Sequence, residues 1–148
     1  MKTVFNPQIR EELISRIGSL DEGSTAAWGK MNIYQMLKHC TLCDEMLLGK
    51  KKYKRAFIGR IFGKMGLRRM LKDDSPMPKN SPTGNEFRIK QTTGNVEAEK
   101  MKWISLVKEY ENYTPAEFTH WFFGKMTREQ VGNFAYKHSD HHLRQFNC

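Results

Sequence analysis

Apolar residues recur at helical spacing in four long segments of this chain, and no other feature restricts its fold as strongly. The first segment opens with Asn6-Pro7, an N-cap followed by a proline at the first helical position. The last follows Thr127, which forms a capping-box pair with Gln130. No stretch of useful length alternates between apolar and polar residues. The period predicts an all-α protein with helices near residues 7–18, 32–49 and 96–112 and beyond residue 127.

The length of the chain, 148 residues, is that of one domain with a core of its own. A basic, partly helical insertion lies between the second and third long helices. It is followed by a loop, residues 73–85, that contains three of the five prolines. We therefore expect residues 1–148 to form a single four-helix-bundle domain, with the insertion and the proline-rich loop between its second and third helices.

The composition argues against membrane-spanning proteins and against small secreted domains held by disulfides. No window contains about 18 consecutive apolar residues, so we expect no transmembrane segment. The N-terminus lacks the apolar run that is typical of a signal peptide. Three cysteines are an odd, low number for a disulfide framework. These observations indicate a cytoplasmic protein with reduced thiols.

The net charge of +9 is concentrated in one stretch, residues 50–72, called here the basic segment. It contains ten Lys or Arg and no acidic residue, whereas the rest of the chain has 15 basic and 16 acidic residues. Apolar residues within 55–71 predict a short amphipathic helix. The favoured interpretation is that its apolar side covers the protein core. The alternative is that basic and apolar residues together bind anionic lipid or nucleic acid.

Three of the five histidines fall within YKHSDHHLRQF, residues 136–146. His138 and His142 are four residues apart, which places them about 40° apart around a helix and one turn along it. Both continue the apolar stripe of the last helix, so they should point inward, where imidazoles need polar partners. A metal ion between them would satisfy both. The alternative is a partly exposed pair that bonds to the backbone or to Asp140.

A third ligand should come from another helix, and His39 in the second predicted helix is the candidate. Together with His138 and His142 it would form a three-histidine site with at least one position left open. Such a site is typical of catalytic metal centres, and zinc, nickel and iron all suit imidazole ligands. Taken alone, a histidine such as His39 is more often a core residue with satisfied hydrogen bonds than a metal ligand.

Four further residues are candidates for the surroundings of this site. Cys43, one turn from His39, could line a pocket or add a thiolate, although a small buried apolar residue is the simpler interpretation. His141 lies beside the apolar stripe, which favours a role next to the ligands, at the rim or at an interface. Asp140 and Arg144 could assist at the rim.

Two other motifs are weaker candidates for a functional role. His120 precedes FFGKM in a predicted loop, where we expect it to be structural. The C-x-x-C at residues 40–43 could be a redox pair, but it falls inside a helical run and no second pair accompanies it.

The stretch KHSDHHLRQF, residues 137–146, resembles the C-terminal signature of a domain-of-unknown-function branch of the DinB/YfiT-like superfamily. Three other motifs support the resemblance: WGKM at 28–31, QMLKH at 35–39 and HWFFGKMT at 120–127. The chain departs from the branch at Trp121, where a proline is expected, and in its basic segment.

The resemblance implies a four-helix bundle that holds a divalent metal ion with three histidines. At the matching positions of this chain, these are His39, His138 and His142. The resemblance also implies a homodimer. The superfamily includes transferases and isomerases that use low-molecular-weight thiols.

The leading hypothesis is therefore a metal-dependent hydrolase or thiol-dependent transferase that acts on a small-molecule substrate. Three neutral imidazoles leave the charge of an ion largely uncompensated, so a bound water or thiol would lose its proton more easily. The sequence identifies no catalytic residue beyond the ligands. The alternatives are a structural metal site without catalysis, and a module that binds anionic lipid or nucleic acid through residues 50–72.

Overall fold

A computed structural model describes residues 1–148, the whole chain. The structure contains five α-helices, one two-stranded sheet and two short 3₁₀ turns, Asn85–Phe87 and Tyr110–Asn112. The helices are α1 (Pro7–Gly18), α2 (Ile33–Leu47), α3 (Phe57–Met70), α4 (Val96–Glu109) and α5 (Arg128–Gln145), and the strands are β1 (Glu117–His120) and β2 (Gly124–Thr127). No helix combines the length and the apolar content that crossing a bilayer requires.

The expectation of an all-α four-helix bundle is wrong. Five helices are accompanied by an antiparallel hairpin, in which Glu117 pairs with Thr127 and His120 pairs with Gly124. Each strand has only four residues, which is too short for an alternating pattern to stand out in the sequence. Gly124 has a φ of +84°, a conformation that favours glycine, and it turns the chain into β2.

The capping residues that were predicted from the sequence start their helices as expected. The Asn6 side chain accepts hydrogen bonds from the amides of Gln8 and Ile9 at the start of α1. Thr127 and Gln130 form a capping box at the start of α5. Since Thr127 is also the last residue of β2, the hairpin determines where α5 begins.

Helix α5 lies in the middle of the protein, because every residue from Val131 to Leu143 is buried. It packs against α1, α2 and both strands, while α4 packs against α1 and α2. The largest fully buried side chain is that of Trp103 on α4.

A buried carboxyl group joins α2 to α4 and the turn that follows. The Trp103 indole donates a hydrogen bond of 2.8 Å to Asp44 Oδ2, and the Tyr110 hydroxyl donates one of 2.7 Å to Asp44 Oδ1. Burial raises the pKa of Asp44 from 3.8 to about 6, although both hydrogen bonds favour the charged form.

Helix α3 rests on the turn between the two strands through its glycines. A β-carbon at Gly59 or Gly63 would collide with the carbonyl oxygen of Phe122, so the absence of a side chain permits this close approach. Arg55, just before the helix, donates hydrogen bonds to the carbonyl oxygens of His120 and Trp121. The basic segment is thus held on the backbone of the hairpin by the glycines of α3 and by the Arg55 side chain.

The predicted helix in the basic segment is present, but the favoured expectation for its orientation is wrong. Its apolar side does not cover the core, because five large apolar side chains are 50–75% exposed: Phe57, Ile58, Ile61, Phe62 and Met65. The buried positions of α3 are instead Gly59, Gly63 and Leu67. The sequence pattern correctly indicated a helix but not which of its faces is buried.

We expect Asp44→Asn to change stability in a pH-dependent way. Because the pKa of Asp44 is higher in the folded protein, its contribution to stability is complete below pH 3.8 and is lost as the pH rises through about 6. The stability of the variant relative to the wild type should therefore increase by up to about 3 kcal/mol from pH 4 to pH 7. Urea unfolding at several pH values measures this difference, and a difference that is independent of pH would contradict the prediction.

Two glycine substitutions in α3 should have opposite effects. Gly63→Ala should destabilise the protein by about 1–3 kcal/mol, since the new methyl group overlaps the Phe122 carbonyl. Gly66→Ala should stabilise it by up to about 1 kcal/mol, because alanine favours helix and the nearest atom to the new carbon is 3.6 Å away. Chemical denaturation and amide exchange within α3 measure both variants. Equal effects of the two substitutions would rule out the backbone contact.

Candidate metal centre

The structure brings together the three histidines that the sequence singled out. His39 comes from α2, and His138 and His142 come from successive turns of α5. One ring nitrogen from each lies within 4.8 Å of those of the other two, and all three side chains are buried. The shortest separation is 3.1 Å, between His39 Nε2 and His138 Nε2.

Hydrogen bonds determine which nitrogen of two of these rings carries the proton. His39 Nδ1 lies 3.0 Å from the carbonyl oxygen of Phe87, and His142 Nδ1 lies 2.9 Å from Gln145 Oε1. Both partners are oxygens that can only accept, so in the neutral rings the proton is on Nδ1. Nε2 of His39 and of His142 then keeps its lone pair for a further partner.

The position of Gln145 depends on the loop that precedes α2. The side-chain NH₂ of Gln145 donates a hydrogen bond of 2.8 Å to the Trp28 carbonyl, and the backbone carbonyl of Gln145 accepts one of 2.7 Å from the Ala27 amide. Gly29 has a φ of +86°, and a β-carbon there would lie 2.5 Å from Gln145 Nε2. The WGKM motif therefore holds the residue that orients His142.

The environment keeps the three imidazoles neutral. Burial lowers the pKa of His39, and it lowers the pKa values of His138 and His142 well below their usual range. The neighbouring imidazoles add to this effect, because a positive charge on one ring disfavours a charge on the next. At neutral pH the rings therefore offer lone pairs rather than positive charges.

These donors fit a divalent cation. A tetrahedral ion with metal–nitrogen bonds of about 2.0–2.1 Å separates its ligand atoms by about 3.3 Å. His39 Nε2 and His138 Nε2, at 3.1 Å, are already close to that spacing. Without an ion, His138 Nε2 carries the proton of this pair and donates it to the lone pair of His39 Nε2.

A cavity of about 990 Å³ adjoins the histidines. Its wall includes all three of them, parts of α3, the turn after β1 and the proline-rich loop. No acidic side chain lines it, whereas four basic ones do: Arg69, Lys72, Lys79 and Lys137. The open side of the triad thus faces a space large enough for a small molecule, in a positively charged surrounding.

Two of the four surrounding candidates lie at this cavity. His141 is part of its wall, and its ring meets that of Trp28 edge-on at 5.9 Å. Cys43 also lines the cavity, but it is not part of the cluster of ligand atoms. Burial raises the pKa of the Cys43 thiol well above its usual range, which favours the neutral side chain.

The other two candidates are not brought to the site. Asp140 accepts hydrogen bonds of 2.8 Å from Arg16 and 2.7 Å from Arg144, and neither Asp140 nor Arg144 lines the cavity. Asp140 instead joins α1 to α5. The expectation that these side chains could assist at the rim therefore finds no geometric basis, because their charges are directed toward each other and toward α1.

His120 belongs to the last position of β1 rather than to a loop, and it has a structural contact. Its Nδ1 accepts hydrogen bonds from the amides of Phe122 and Phe123, at 3.1 and 3.2 Å. Burial and the nearby Arg55 lower the pKa of His120 to about 3. The ring therefore stays neutral and stabilises the turn that carries α3.

The C-x-x-C does not form a disulfide. Cys40 and Cys43 are both free and buried, and Cys40 Sγ lies 3.7 Å from Met36 Sδ.

Sequence reasoning missed the two groups that orient the ligands. The Phe87 carbonyl is a backbone group at the end of the proline-rich connection, and no pattern of side chains could reveal it. Gln145 left a detectable signal, since it lies three residues after His142 on the same helix face.

In metal-free protein we expect two rings of this centre to show one tautomer and the structural His120 to show the opposite one. His39 and His142 should carry the proton on Nδ1, whereas His120, whose Nδ1 accepts two amide hydrogen bonds, should carry it on Nε2. Long-range ¹H–¹⁵N correlation spectra of the histidine rings distinguish the two forms. The Nε2–H tautomer at His39 or His142 would show that the proposed donors are blocked, and His120 serves as the internal control.

Comparison with known proteins identifies a family but no activity. Searches of curated proteins and of solved structures returned no match. The profile of a family described as a protein of unknown function, DUF1569, matches residues 8–148, nearly the whole chain. The chain therefore belongs to the DUF1569 family.

Proposed function

We propose that this protein is a divalent-metal-dependent enzyme with His39, His138 and His142 as the metal ligands. The observation that carries the proposal is the convergence of three buried imidazole nitrogens beside a cavity of about 990 Å³. Two of the rings have their lone pairs available because Phe87 and Gln145 bind the opposite nitrogen. Zinc, nickel or iron would suit these ligands.

Three protein ligands and an adjoining cavity favour a catalytic centre over a structural one. Structural zinc sites are closed by four protein ligands, whereas catalytic sites leave a position for water or substrate. A fourth protein ligand is absent from the cluster, and the thiol of Cys43 is favoured in its neutral form. When bound, the ion would supply a positive charge that lowers the pKa of a coordinated water or thiol.

The chain's own residues restrict the substrate. Phe87, Phe134 and Trp121 form apolar parts of the cavity wall, while the basic side chains of the wall favour an anionic group. We therefore propose a small molecule with an apolar body and a negative charge, in a hydrolysis or a thiol-dependent transfer. No carboxylate lines the cavity wall, and Nδ1 of His120, which also lies in the wall, already accepts two amide hydrogen bonds. This leaves His141 as the wall residue to accept a proton outside the triad.

A relation to the DinB/YfiT-like superfamily is part of this proposal. The support is the shared pattern of one histidine on the second helix and two, four residues apart, on the last. The family match does not itself link the chain to that superfamily.

A structural metal site is the second candidate. The burial of all three ligands favours it, since an ion there would tie α2 to α5 in the protein interior.

Metal content tests the proposal directly. Protein without a histidine tag, expressed with supplemented metals, should contain about one divalent ion per chain, measured by elemental analysis. His39→Ala and His142→Ala should abolish this content, while His141→Ala is the matched control and should retain it. Gln145→Leu should weaken metal affinity by about 10–100-fold, because the orientation of His142 is lost. A wild-type protein that stays metal-free after supplementation would refute the site.

Chelation separates the catalytic from the structural role. An enzyme should keep its fold after the metal is removed, and should recover hydrolase or thiol-transfer activity on small anionic substrates when metal is restored. Unfolding on chelation, with no activity in such a screen, would favour the structural candidate.

A further inference from the structure

Helix α3 presents an apolar face to solvent. Its five large apolar side chains, at positions 57, 58, 61, 62 and 65, are 50–75% exposed. At 100° per residue they fall within an arc of about 140°. The glycines that contact the hairpin, Gly59 and Gly63, lie on the opposite side of the helix. Several large apolar side chains exposed side by side mark an interaction site more often than scattered single residues do.

Basic side chains border this apolar face. Arg60, Lys64 and Arg68 follow one another at intervals of four residues along one edge, and Arg69 lies close to the other edge, at the end of the helix. All four are exposed. The ion pairs of the basic segment involve Lys50, Lys51 and Lys72 instead, all of which lie outside α3. The positive charges of the helix are therefore free to meet an external anionic partner.

The helix is held in this orientation. Its glycine side contacts the Phe122 backbone, and Arg55 donates hydrogen bonds to the carbonyls of His120, Trp121 and Gly59. Turning the apolar side inward would break these contacts and would place large side chains where only glycine fits. The exposed face is thus a fixed surface of the protein.

We propose that α3 binds the surface of an anionic membrane, with its apolar side chains among the lipids and its basic side chains at the headgroups. A helix that lies in the membrane interface has this distribution, with an apolar face and Lys or Arg at its borders. Each basic side chain near an anionic surface increases binding by about fivefold. Four unpaired charges on one short helix therefore complement such a surface well.

Two other occupants fit less well. In a symmetric dimer the same patch meets itself, which would bring the basic borders of two α3 helices together with no acidic residue in 50–72 to compensate. A nucleic acid would pair with the basic side chains, but it would leave the aliphatic side chains of Ile58, Ile61 and Met65 in water.

The same helix also forms part of the cavity wall, through Ile58, Gly66, Arg69 and Met70. Membrane binding does not depend on the metal. Only where the proposed enzyme function holds does it follow that an amphiphilic substrate could enter the cavity from the lipid surface.

Vesicle flotation tests the proposal with the full-length protein. The probes are vesicles of phosphatidylcholine alone and of phosphatidylcholine with phosphatidylglycerol, each at low and at high salt. We expect binding to the anionic vesicles only, and weaker binding as salt increases. The double variant Ile61→Ser, Phe62→Ser should lower binding by about tenfold or more, because two inserted side chains are lost.

Matched substitutions elsewhere control for apolarity and charge. Met65 and Met101 are 64% and 55% exposed on different helices, so Met65→Ser should weaken binding and Met101→Ser should not. Lys64→Gln with Arg68→Gln should weaken binding more than Lys90→Gln with Lys108→Gln, which removes the same charge elsewhere. His138→Ala should bind vesicles like the wild type, which separates this proposal from the metal site.

Three results would overturn the proposal. The first is equal binding to neutral and anionic vesicles, or equal effects of the α3 variants and their controls. The second is salt-sensitive binding to DNA or RNA without vesicle binding, which would assign the surface to nucleic acid. The third is a dimer in analytical ultracentrifugation that the double variant Ile61→Ser, Phe62→Ser dissociates, which would assign it to a second copy.

Discussion

The burial of α5 from Val131 to Leu143 is the constraint on which the rest of this structure depends. A helix buried on all sides is normally apolar, yet this one carries Lys137, His138, Asp140, His141 and His142. Each of these polar groups needs a partner in the interior, since an unpaired one costs about 1–3 kcal/mol. The loops and helices around α5 supply most of those partners. The polar side chains of α5 therefore determine which groups the surrounding segments must place against this helix.

The polar side chains of α5 differ in their partners on two sides of the helix. On one side, Asp140 pairs with Arg16 and Arg144, and Lys137 donates to the carbonyls of Met70 and Asp73. These polar groups have direct partners within the protein and offer no lone pair to a metal ion. On the other side the imidazoles largely face one another, and their nitrogens converge beside a cavity. Only that side has unused lone pairs, which is why the proposed chemistry belongs there.

Helix positions and the histidine cluster could be predicted because both follow from local spacing. Asn6 and Thr127 cap their helices by contacts within three residues, and His138 and His142 converge because four residues make about one turn. The hairpin could not be predicted in this way, because each of its strands has only four residues. The Phe87 carbonyl also escaped detection, since its contact with His39 spans 48 positions and involves no side chain of Phe87.

The orientation of α3 shows why a hydrophobic pattern alone can mislead. Burying large apolar side chains is favourable by about 1.5–3 kcal/mol each, which predicts that Ile58, Ile61 and Phe62 face the core. The opposite face prevails because Gly59 and Gly63 let two backbones approach more closely than any side chain would allow. That contact leaves an apolar surface bordered by basic residues, at the wall of the cavity that the histidines share. Helix α3 therefore lies between the cavity beside the histidines and the solvent, and its positive charge favours a negatively charged partner.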